Sequence, residues 1–269
     1  MKLCRFQPLE FEWNAVVGVA PPQHPEPRYG VIEGERVRQI AGDIFGMWYP
    51  VNQSWPVERV KLLAPIVPGK IVCVGRSYRE HAAELGNPVP TEPLIFLKPP
   101  SAVIGPDEPI ALPAISQRVD HEGELAVVIG KRCAKLADGE PAAPYILGYI
   151  CLNDVTARDL QKKDVQFTRA KSFDTFCPLG PVIETELDLP ATTVEAYVNG
   201  VRRQHGRAAD LLFSMDVIIG YISRVMTLEP GDVVATGTPP GVGPLAAGDV
   251  VEVVVSGVGT LRNPVVAES

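Results

Sequence analysis

The chain has 269 residues, of which 46% are hydrophobic and 21% are charged, and its formal net charge is −7. A chain of this size can bury a substantial core, and the lack of a basic run argues against nucleic acid as its main partner. Every apolar stretch falls short of the ~20 residues that a transmembrane helix needs, and the N-terminus lacks a signal-peptide pattern. We therefore expect a cytoplasmic protein without a membrane partner.

The cysteines, prolines and glycines indicate the general class of fold. Five cysteines are scattered without a CxxC pair, which argues against a disulfide framework and a zinc site and favours a reducing compartment. The 27 prolines and 24 glycines are spread along the chain, a pattern typical of many short strands joined by turns. The sequence therefore predicts an α+β fold that is mainly β.

Residues 1–64 are predicted to form a small β-rich N-terminal domain. Its short apolar runs are typical of strands, and prolines interrupt the middle of the segment. The predicted strands are 2–6, 14–20, 29–32 and 36–40. The proline-rich stretch 64–69 is the connector to a larger domain at 65–269, which opens with a strand at 70–74.

A short helix is predicted after that strand. Ser77 and Glu80 have the spacing of a capping box, and a glycine and a proline soon afterwards limit the helix to a few turns. His81 and Glu84 are three residues apart and share one helical face, so the carboxylate can orient the imidazole to act as a base. The alternative is a surface ion pair. A helix bounded in this way can also move as a lid.

Two glutamates stand at the start of the next buried-strand pattern, Leu125–Ile129. Glu122 and Glu124 are two residues apart, so strand periodicity points both carboxylates to the same side. Adjacent acids beside an apolar strand repel each other and lose hydration, which a hard divalent cation would offset. The alternative is a solvated strand end. His121 falls on the opposite face, and we interpret it as a packing residue.

A second buried-strand pattern, 145–152, leads to Asp154 and then to a helix-like segment. Asp154 can cap that helix, which is the commonest role of such an aspartate, or it can join the two glutamates. Arg158 and Gln161 would face the same way if the helix forms. Lys171 follows among aromatic residues and prolines, which predicts a partly enclosed position.

The remaining elements are a hairpin around Asn199-Gly200, an amphipathic helix at 214–226 and strands at 233–235 and 249–255, followed by a turn and a short tail. The loop 236–243 lacks the lysine and spacing of a phosphate-binding P-loop. It is either a tight turn or a place where backbone N–H groups and a threonine hydroxyl meet an anion such as a carboxylate.

Taken in order, these motifs resemble the fumarylacetoacetate hydrolase family from about residue 65 to the C-terminus. The resemblance rests on Gly75-Arg76-Ser77-Tyr78 with His81 and Glu84, Phe96-Leu97-Lys98-Pro99, Asp120–Leu125, Asn153–Asp159, Ala170–Asp174 and Thr236–Pro239. The N-terminal unit resembles the short leading domain of bacterial members.

This resemblance implies a mixed β-sandwich and β-roll catalytic fold that assembles as a homodimer. It implies a Mg²⁺ or Mn²⁺ site, with a catalytic lysine beside the metal. The implied ligands are Glu122, Glu124 and Asp154, and the lysine is Lys171. The enzyme that names the family has an additional upstream aspartate at its metal, and this sequence shows no certain fourth ligand.

The same resemblance assigns further roles around the metal. His81 and Glu84 would form a catalytic dyad on a lid helix. Substrate-binding groups would be Arg158, Gln161, Gly237 and Thr238.

Such a site would bind a 2-oxo acid through its carboxylate and the adjacent oxygen, and would stabilise an enolate. Because a His–Glu pair can activate water, the sequence favours hydrolytic C–C cleavage of an acylpyruvate-type substrate. A 2-hydroxyhepta-2,4-diene-1,7-dioate isomerase, a 5-oxopent-3-ene-1,2,5-tricarboxylate decarboxylase and an oxaloacetate decarboxylase use the same template and remain open. So does a metal-binding dimer without enzymatic activity.

Overall fold

The computed structural model describes residues 1–10, 26–84, 86 and 88–268. Strands of the first part of the chain are β1 (Lys2–Pro8), β2 (Arg28–Glu33), β3 (Arg36–Gly42), β4 (Trp48–Pro56) and β5 (Val60–Leu63). The predicted strand at 14–20 lies outside the described residues.

The remainder of the chain contributes further strands and four described α-helices. The strands are β6 (Ile71–Gly75), β7 (Leu94–Lys98), β8 (Val103–Ile104), β9 (Ile110–Leu112), β10 (Val119–His121), β11 (Gly123–Ile129), β12 (Ile146–Asn153), β13 (Thr156–Ala157), β14 (Cys177–Glu184), β15 (Thr193–Val198), β16 (Val201–Arg207), β17 (Val233–Ala235), β18 (Gly243–Pro244), β19 (Val250–Val255) and β20 (Gly259–Ala267). The helices are α1 (Arg79–Glu84), α2 (Arg158–Asp164), α3 (Thr168–Lys171) and α4 (Met215–Val225). The predicted α+β fold that is mainly β is confirmed.

The largest sheet has the order β4-β3-β2-β1-β14-β12-β11-β17-β6-β7, with β5 and β8 attached beside it. Strand β1 pairs antiparallel with β14 through Lys2 and Glu184, so the N-terminal strands continue the same sheet as the rest of the chain. Strands β6 and β17 run parallel, which brings the segments after both strands to one edge.

Strand β11 is buried on both faces. Ala126 and Val128 pack in one cluster with residues of β6 and β17. Leu125 faces the five-stranded sheet β16-β15-β19-β20-β9, while Val127 packs against α4. Burial on both faces explains why this strand is a continuous apolar run without alternation. The core thus fixes the strand that begins beside the two glutamates.

Several local predictions differ from the structure. Residues 259–267 form the nine-residue strand β20 rather than a tail, since it pairs along the whole of β19. The predicted capping box does not form among the described residues, because the Ser77 hydroxyl donates to the carbonyl oxygen of Val74 (3.2 Å). The cap of α4 by Ser214, by contrast, is present. Among the described residues, no helix is long and apolar enough to span a membrane.

Candidate active site

Three predicted metal ligands lie together at one edge of the largest sheet. The antiparallel pair β11–β12 sets Gly123 opposite Asn153, and the Asp154 N–H donates to the Glu122 carbonyl oxygen (2.8 Å). Ligand oxygens of Glu122, Glu124 and Asp154 all lie within 4.8 Å of one another. The three residues are 5%, 2% and 1% exposed, so the alternative of solvated surface glutamates is wrong.

Asp154 does not cap the following helix. The N-cap position of α2 is Ala157, and no side chain caps it. Instead, Asp154 Oδ2 accepts a hydrogen bond from the Lys171 ammonium (2.6 Å). The strand end therefore directs this aspartate into the acidic cluster rather than onto the helix.

Two cations compensate Glu122. Lys171 Nζ donates to Oε2 (2.8 Å) and Arg158 Nη2 donates to Oε1 (2.5 Å). Burial alone would raise the pKa of Glu122, but the charges of Lys171 and Arg158 outweigh it and hold this pKa well below its usual range. Glu122 is thus a buried carboxylate kept ionised by its partners.

Glu124 has a different environment. It accepts a hydrogen bond from the Gly237 N–H (2.8 Å) and has no ion pair with any described residue. Burial raises its pKa well above the usual range, and the charges of Asp154 and Glu122 raise it further. A divalent cation between the three carboxylates would offset this uncompensated charge, and an all-oxygen donor set suits Mg²⁺ or Mn²⁺. The residues present therefore fit the implied metal.

Lys98 is a site residue to which the sequence reasoning assigned no role. Its Nζ donates to Asp154 Oδ1 (2.7 Å) and to the Lys171 carbonyl oxygen (2.6 Å), and its side chain has 0% exposure. Each oxygen of Asp154 is therefore bound by one lysine. The available signal was a lysine at the end of the apolar strand Leu94–Leu97, because lysine is almost never buried without a partner.

Each of the three nitrogens of the Arg158 guanidinium donates a hydrogen bond. Nε donates to Asp120 Oδ2 (3.0 Å) and Nη1 donates to Gln161 Oε1 (2.8 Å), in addition to the bond to Glu122. Asp120 Oδ1 also accepts a hydrogen bond from Arg118 Nε (2.9 Å). This network orients Arg158 and Gln161 beside the carboxylates, as the predicted shared face requires.

The loop after β17 closes one side of the cluster. Thr238 Oγ1 donates to the Gly123 carbonyl oxygen (2.9 Å) and accepts from Gln204 Nε2 (2.7 Å). Gln204 Oε1 accepts from the Gly123 N–H (2.9 Å) and lies 3.0 Å from His121 Nδ1. His121 is buried and outside the carboxylate cluster, as predicted. Sequence reasoning missed Gln204, which stands among exposed residues of the hairpin.

His81 and Glu84 are in contact on α1. His81 Nδ1 lies 3.3 Å from Glu84 Oε2, and the Glu84 carboxylate also accepts from the Gly241 N–H (3.1 Å). His81 is only 5% exposed, so the alternative of a surface ion pair is wrong for the histidine. The pair is therefore held by a second loop as well as by its own helix.

All predicted site residues line one cavity of about 460 Å³. They are His81, Glu84, Glu122, Glu124, Asp154, Arg158, Gln161, Lys171, Gly237 and Thr238. The lining also includes an apolar wall, where the rings of Phe96 and Phe167 meet edge to face at 5.4 Å. Lys171 Nζ lies 5.2 Å from the centre of the Phe96 ring, so the charged and apolar walls adjoin.

Comparison with known proteins gives matches along almost the whole chain. Residues 70–266 match the family model of the fumarylacetoacetate (FAA) hydrolase C-terminal domain, and residues 22–65 match the Rv2993c-like N-terminal domain. The oxaloacetate tautomerase YisK of Bacillus subtilis is 42% identical over 226 residues, which cover 78% of this chain and 75% of YisK.

Solved structures give the same result for the fold. The 5-carboxymethyl-2-hydroxymuconate delta-isomerase from Mycobacterium smegmatis is 44% identical with a TM-score of 0.87, and the match covers 100% of both chains. The maleylpyruvate hydrolase from Sphingobium sp. SYK-6 is 30% identical with a TM-score of 0.77, again over 100% of both chains. The predicted catalytic fold is thereby confirmed.

Proposed function

The chain belongs to the fumarylacetoacetate hydrolase family of enzymes, and we propose that it is a divalent-metal-dependent tautomerase or isomerase, which moves a proton at the carbon next to the 2-oxo group of a 2-oxo acid. One observation carries this proposal. The buried carboxylates of Glu122, Glu124 and Asp154 and the His81–Glu84 pair face the same cavity.

Glu122, Glu124 and Asp154 would hold Mg²⁺ or Mn²⁺. When bound, the cation would supply a Lewis acid for the negative charge that develops on the 2-oxo oxygen. Lys171 adds positive charge at the same wall, since its ammonium is buried between Glu122 and Asp154. Burial alone would lower the pKa of Lys171, but Asp154 and Glu122 outweigh it and raise this pKa, so the lysine stays charged.

His81 is the proposed proton carrier. When its Nδ1–H donates to the Glu84 carboxylate, the neutral imidazole keeps a free lone pair on Nε2. Nε2 would take the proton from C3 of the substrate and return it to the 2-oxo oxygen or to a carbon further along the chain. Return to oxygen gives the enol, and return to carbon gives the shifted double bond. The Gly241 N–H helps to fix Glu84 for this task.

The apolar wall would contact the carbon chain of the substrate. Phe96 and Phe167 line the cavity beside the charged groups. They would exclude water from the carbon skeleton and strengthen the electrostatic interactions at the polar wall.

The relatives favour proton transfer over hydrolysis. The tautomerase and the isomerase are 42% and 44% identical to this chain, whereas the maleylpyruvate hydrolase and a fumarylacetoacetate hydrolase from Exiguobacterium antarcticum are 30% and 37% identical. Acylpyruvate hydrolysis, which the sequence favoured, remains a second candidate, because a histidine oriented by a fixed carboxylate can also remove a proton from attacking water.

Parallel assays of the purified protein test the reaction type. The ketonisation of enol-oxaloacetate reports proton transfer, pyruvate release from oxaloacetate reports decarboxylation, and cleavage of acetylpyruvate reports hydrolysis. Each is run with Mg²⁺ and with EDTA. We expect EDTA-sensitive ketonisation to be the fastest reaction. Faster cleavage of acetylpyruvate would support the hydrolase instead, and no turnover in any assay would support a binding protein.

A further inference from the structure

We propose that Asp120 increases the affinity of the cation site from behind the cavity wall. Asp120 is a positioning residue, because it acts through the Arg158 guanidinium and touches neither the cation nor the substrate. This inference rests on the proposed function, since it concerns the same cation site.

Asp120 is a buried carboxylate outside the cavity. It is 1% exposed, it is not among the residues that line the cavity, and it is not one of the three clustered carboxylates. Its Oδ2 accepts a hydrogen bond from Arg158 Nε (3.0 Å), and its Oδ1 accepts one from Arg118 Nε (2.9 Å). Arg158 does line the cavity, so it links Asp120 to the site.

The backbone holds Asp120 and Arg158 side by side. Strand β10 pairs with β13, with Asp120 opposite Thr156, and the Arg158 N–H donates to the Arg118 carbonyl oxygen (2.8 Å). Helix α2 begins at Arg158 directly after β13, so the first residue of the helix is fixed beside Asp120. The contact between the two side chains therefore follows from the strand pairing.

Arg158 is shared between an inner and an outer carboxylate. Nη2 donates to Glu122 Oε1 (2.5 Å) at the cavity, while Nε donates to Asp120. Asp120 compensates part of the guanidinium charge, which therefore repels a cation at Glu122 less strongly. Because Asp120 occupies Nε, Arg158 is also kept from binding Glu122 through two donors at once, an arrangement that would compete with the cation.

The balance of buried charges gives the direction of the effect. With its carboxylates ionised, as cation binding requires, this region has four negative and three positive buried side chains. They are Asp120, Glu122, Glu124 and Asp154, and Lys98, Arg158 and Lys171. One negative charge is in excess, and the loss of Asp120 would remove that excess. A bound divalent cation would then leave two positive charges in a buried region instead of one, which lowers its affinity.

Calorimetric titration of EDTA-treated variants with Mn²⁺ tests this role. Asp120→Asn keeps the shape of the side chain and removes its charge, whereas Asp120→Glu keeps the charge and changes the shape. We expect the Kd for Mn²⁺ to rise about 10- to 100-fold in Asp120→Asn and less than about threefold in Asp120→Glu. A residue that serves only packing would give the reverse order, because asparagine fits its place better than glutamate does.

Arg118→Met should have the opposite effect. The Arg118 side chain is 53% exposed and is the outer partner of Asp120, so its removal leaves more of the aspartate charge to act on Arg158. The Kd for Mn²⁺ should fall about two- to threefold at low ionic strength, and this difference should disappear at about 1 M salt because solvent ions screen an exposed charge. This variant keeps the test decisive if Asp120→Asn does not fold.

Asp159→Asn is the matched control. Asp159 follows Arg158 in the chain and binds the same outer segment, accepting from the Ser116 hydroxyl (2.6 Å) and the Gln117 N–H (3.1 Å). It undergoes the same change of charge, but its carboxylate does not hold the guanidinium. Its Kd for Mn²⁺ should stay within about twofold of the wild-type value.

Ketonisation assays distinguish a weakened cation site from a damaged one. If Asp120 acts on cation affinity, the kcat of Asp120→Asn at saturating Mn²⁺ should return to within about threefold of the wild-type value. A kcat that stays low at full occupancy would show that Asp120 shapes the catalytic groups instead, and would contradict the proposal.

Three further results would overturn it: an unchanged Kd in Asp120→Asn, equal losses in Asp120→Asn and Asp159→Asn, or an Arg118→Met variant that binds Mn²⁺ no more tightly than the wild type. These outcomes are distinct from failure of the proposed function. In that case the wild type itself would bind no Mn²⁺ or would not ketonise enol-oxaloacetate.

Discussion

Lys98 Nζ donates a hydrogen bond of 2.7 Å to Asp154 Oδ1, and the two side chains are buried, with 0% and 1% exposure. This pair joins β7 to the end of β12, although Lys98 and Asp154 are 56 positions apart in the chain. The other oxygen of Asp154 accepts a hydrogen bond from Lys171, so this aspartate is held by lysines from two directions. The fold therefore compensates the charge of Asp154 before any ligand binds.

Lys98→Met should destabilise the protein by about 3–5 kcal/mol, because it leaves Asp154 Oδ1 buried without its cation. The measurement is the free energy of unfolding in urea. Lys61→Met is the control, since Lys61 forms an exposed ion pair with Glu108 at 3.0 Å and its loss should cost less than about 1 kcal/mol. Equal costs for the two variants would contradict the structural role of Lys98.

Substitution of the two glutamates should have opposite effects on the metal-free protein. Glu124→Gln replaces a buried carboxyl whose ionised form has no cationic partner among the described residues, and it should raise the free energy of unfolding in EDTA by about 1 kcal/mol. Glu122→Gln breaks ion pairs with Lys171 and Arg158 and should lower it by about 3 kcal/mol. Chemical denaturation in EDTA measures both. Two changes of the same sign would show that the charge balance of the cluster is assigned incorrectly.

Gln204→Leu should cost about 2–4 kcal/mol, because it leaves the Gly123 N–H and the Thr238 hydroxyl without this partner in the core. It should also weaken cation binding, since Gly123 lies between Glu122 and Glu124, two of the proposed ligands. Unfolding and metal titration of the same sample measure both effects. Arg203→Ala, at an exposed position next to Gln204, should change stability by less than about 0.5 kcal/mol. A Gln204→Leu variant as stable as that control would be inconsistent with this network.

His81→Ala should reduce kcat for ketonisation by about 10²- to 10⁴-fold, the usual contribution of a general acid–base. Cation affinity should not change, because His81 is not one of the three cluster residues. Glu84→Gln should cause a smaller loss, since the imidazole remains but is less well oriented. A loss of activity that higher Mg²⁺ concentrations restore would assign His81 to metal binding instead.

The acidic cluster could be predicted because its signals are local. Glu122 and Glu124 follow strand periodicity, and Asp154 follows a strand end, so a short window of sequence predicted each position. Lys98 contacts residues 56 to 73 positions away in the chain, and Gln204 contacts residues 34 to 83 positions away. No local pattern indicates such contacts. Strand β20 was missed for a related reason. Between its buried Leu261 and Val265 lie the exposed Arg262 and the polar Asn263, and the burial of Asn263 depends on hydrogen-bond partners elsewhere in the chain.

The arrangement of the chain into domains is only partly visible in the sequence. The boundary after residue 64 stays a prediction, although the N-terminal strands join the largest sheet through β1 and β14. Homodimer assembly is likewise a proposal from the family resemblance. Light scattering of the purified protein, with a mass of twice 29.0 kDa as the expected result, measures it directly.

Calorimetric titration of EDTA-treated protein with Mn²⁺, followed by ketonisation assays at each degree of saturation, tests the central claim most directly. We predict one cation per chain in the wild type, activity that rises in proportion to occupancy, and neither binding nor activity in the folded Glu124→Gln variant. Full activity without a cation, or unchanged Mn²⁺ binding in Glu124→Gln, would contradict the assignment of Glu122, Glu124 and Asp154 as the metal site.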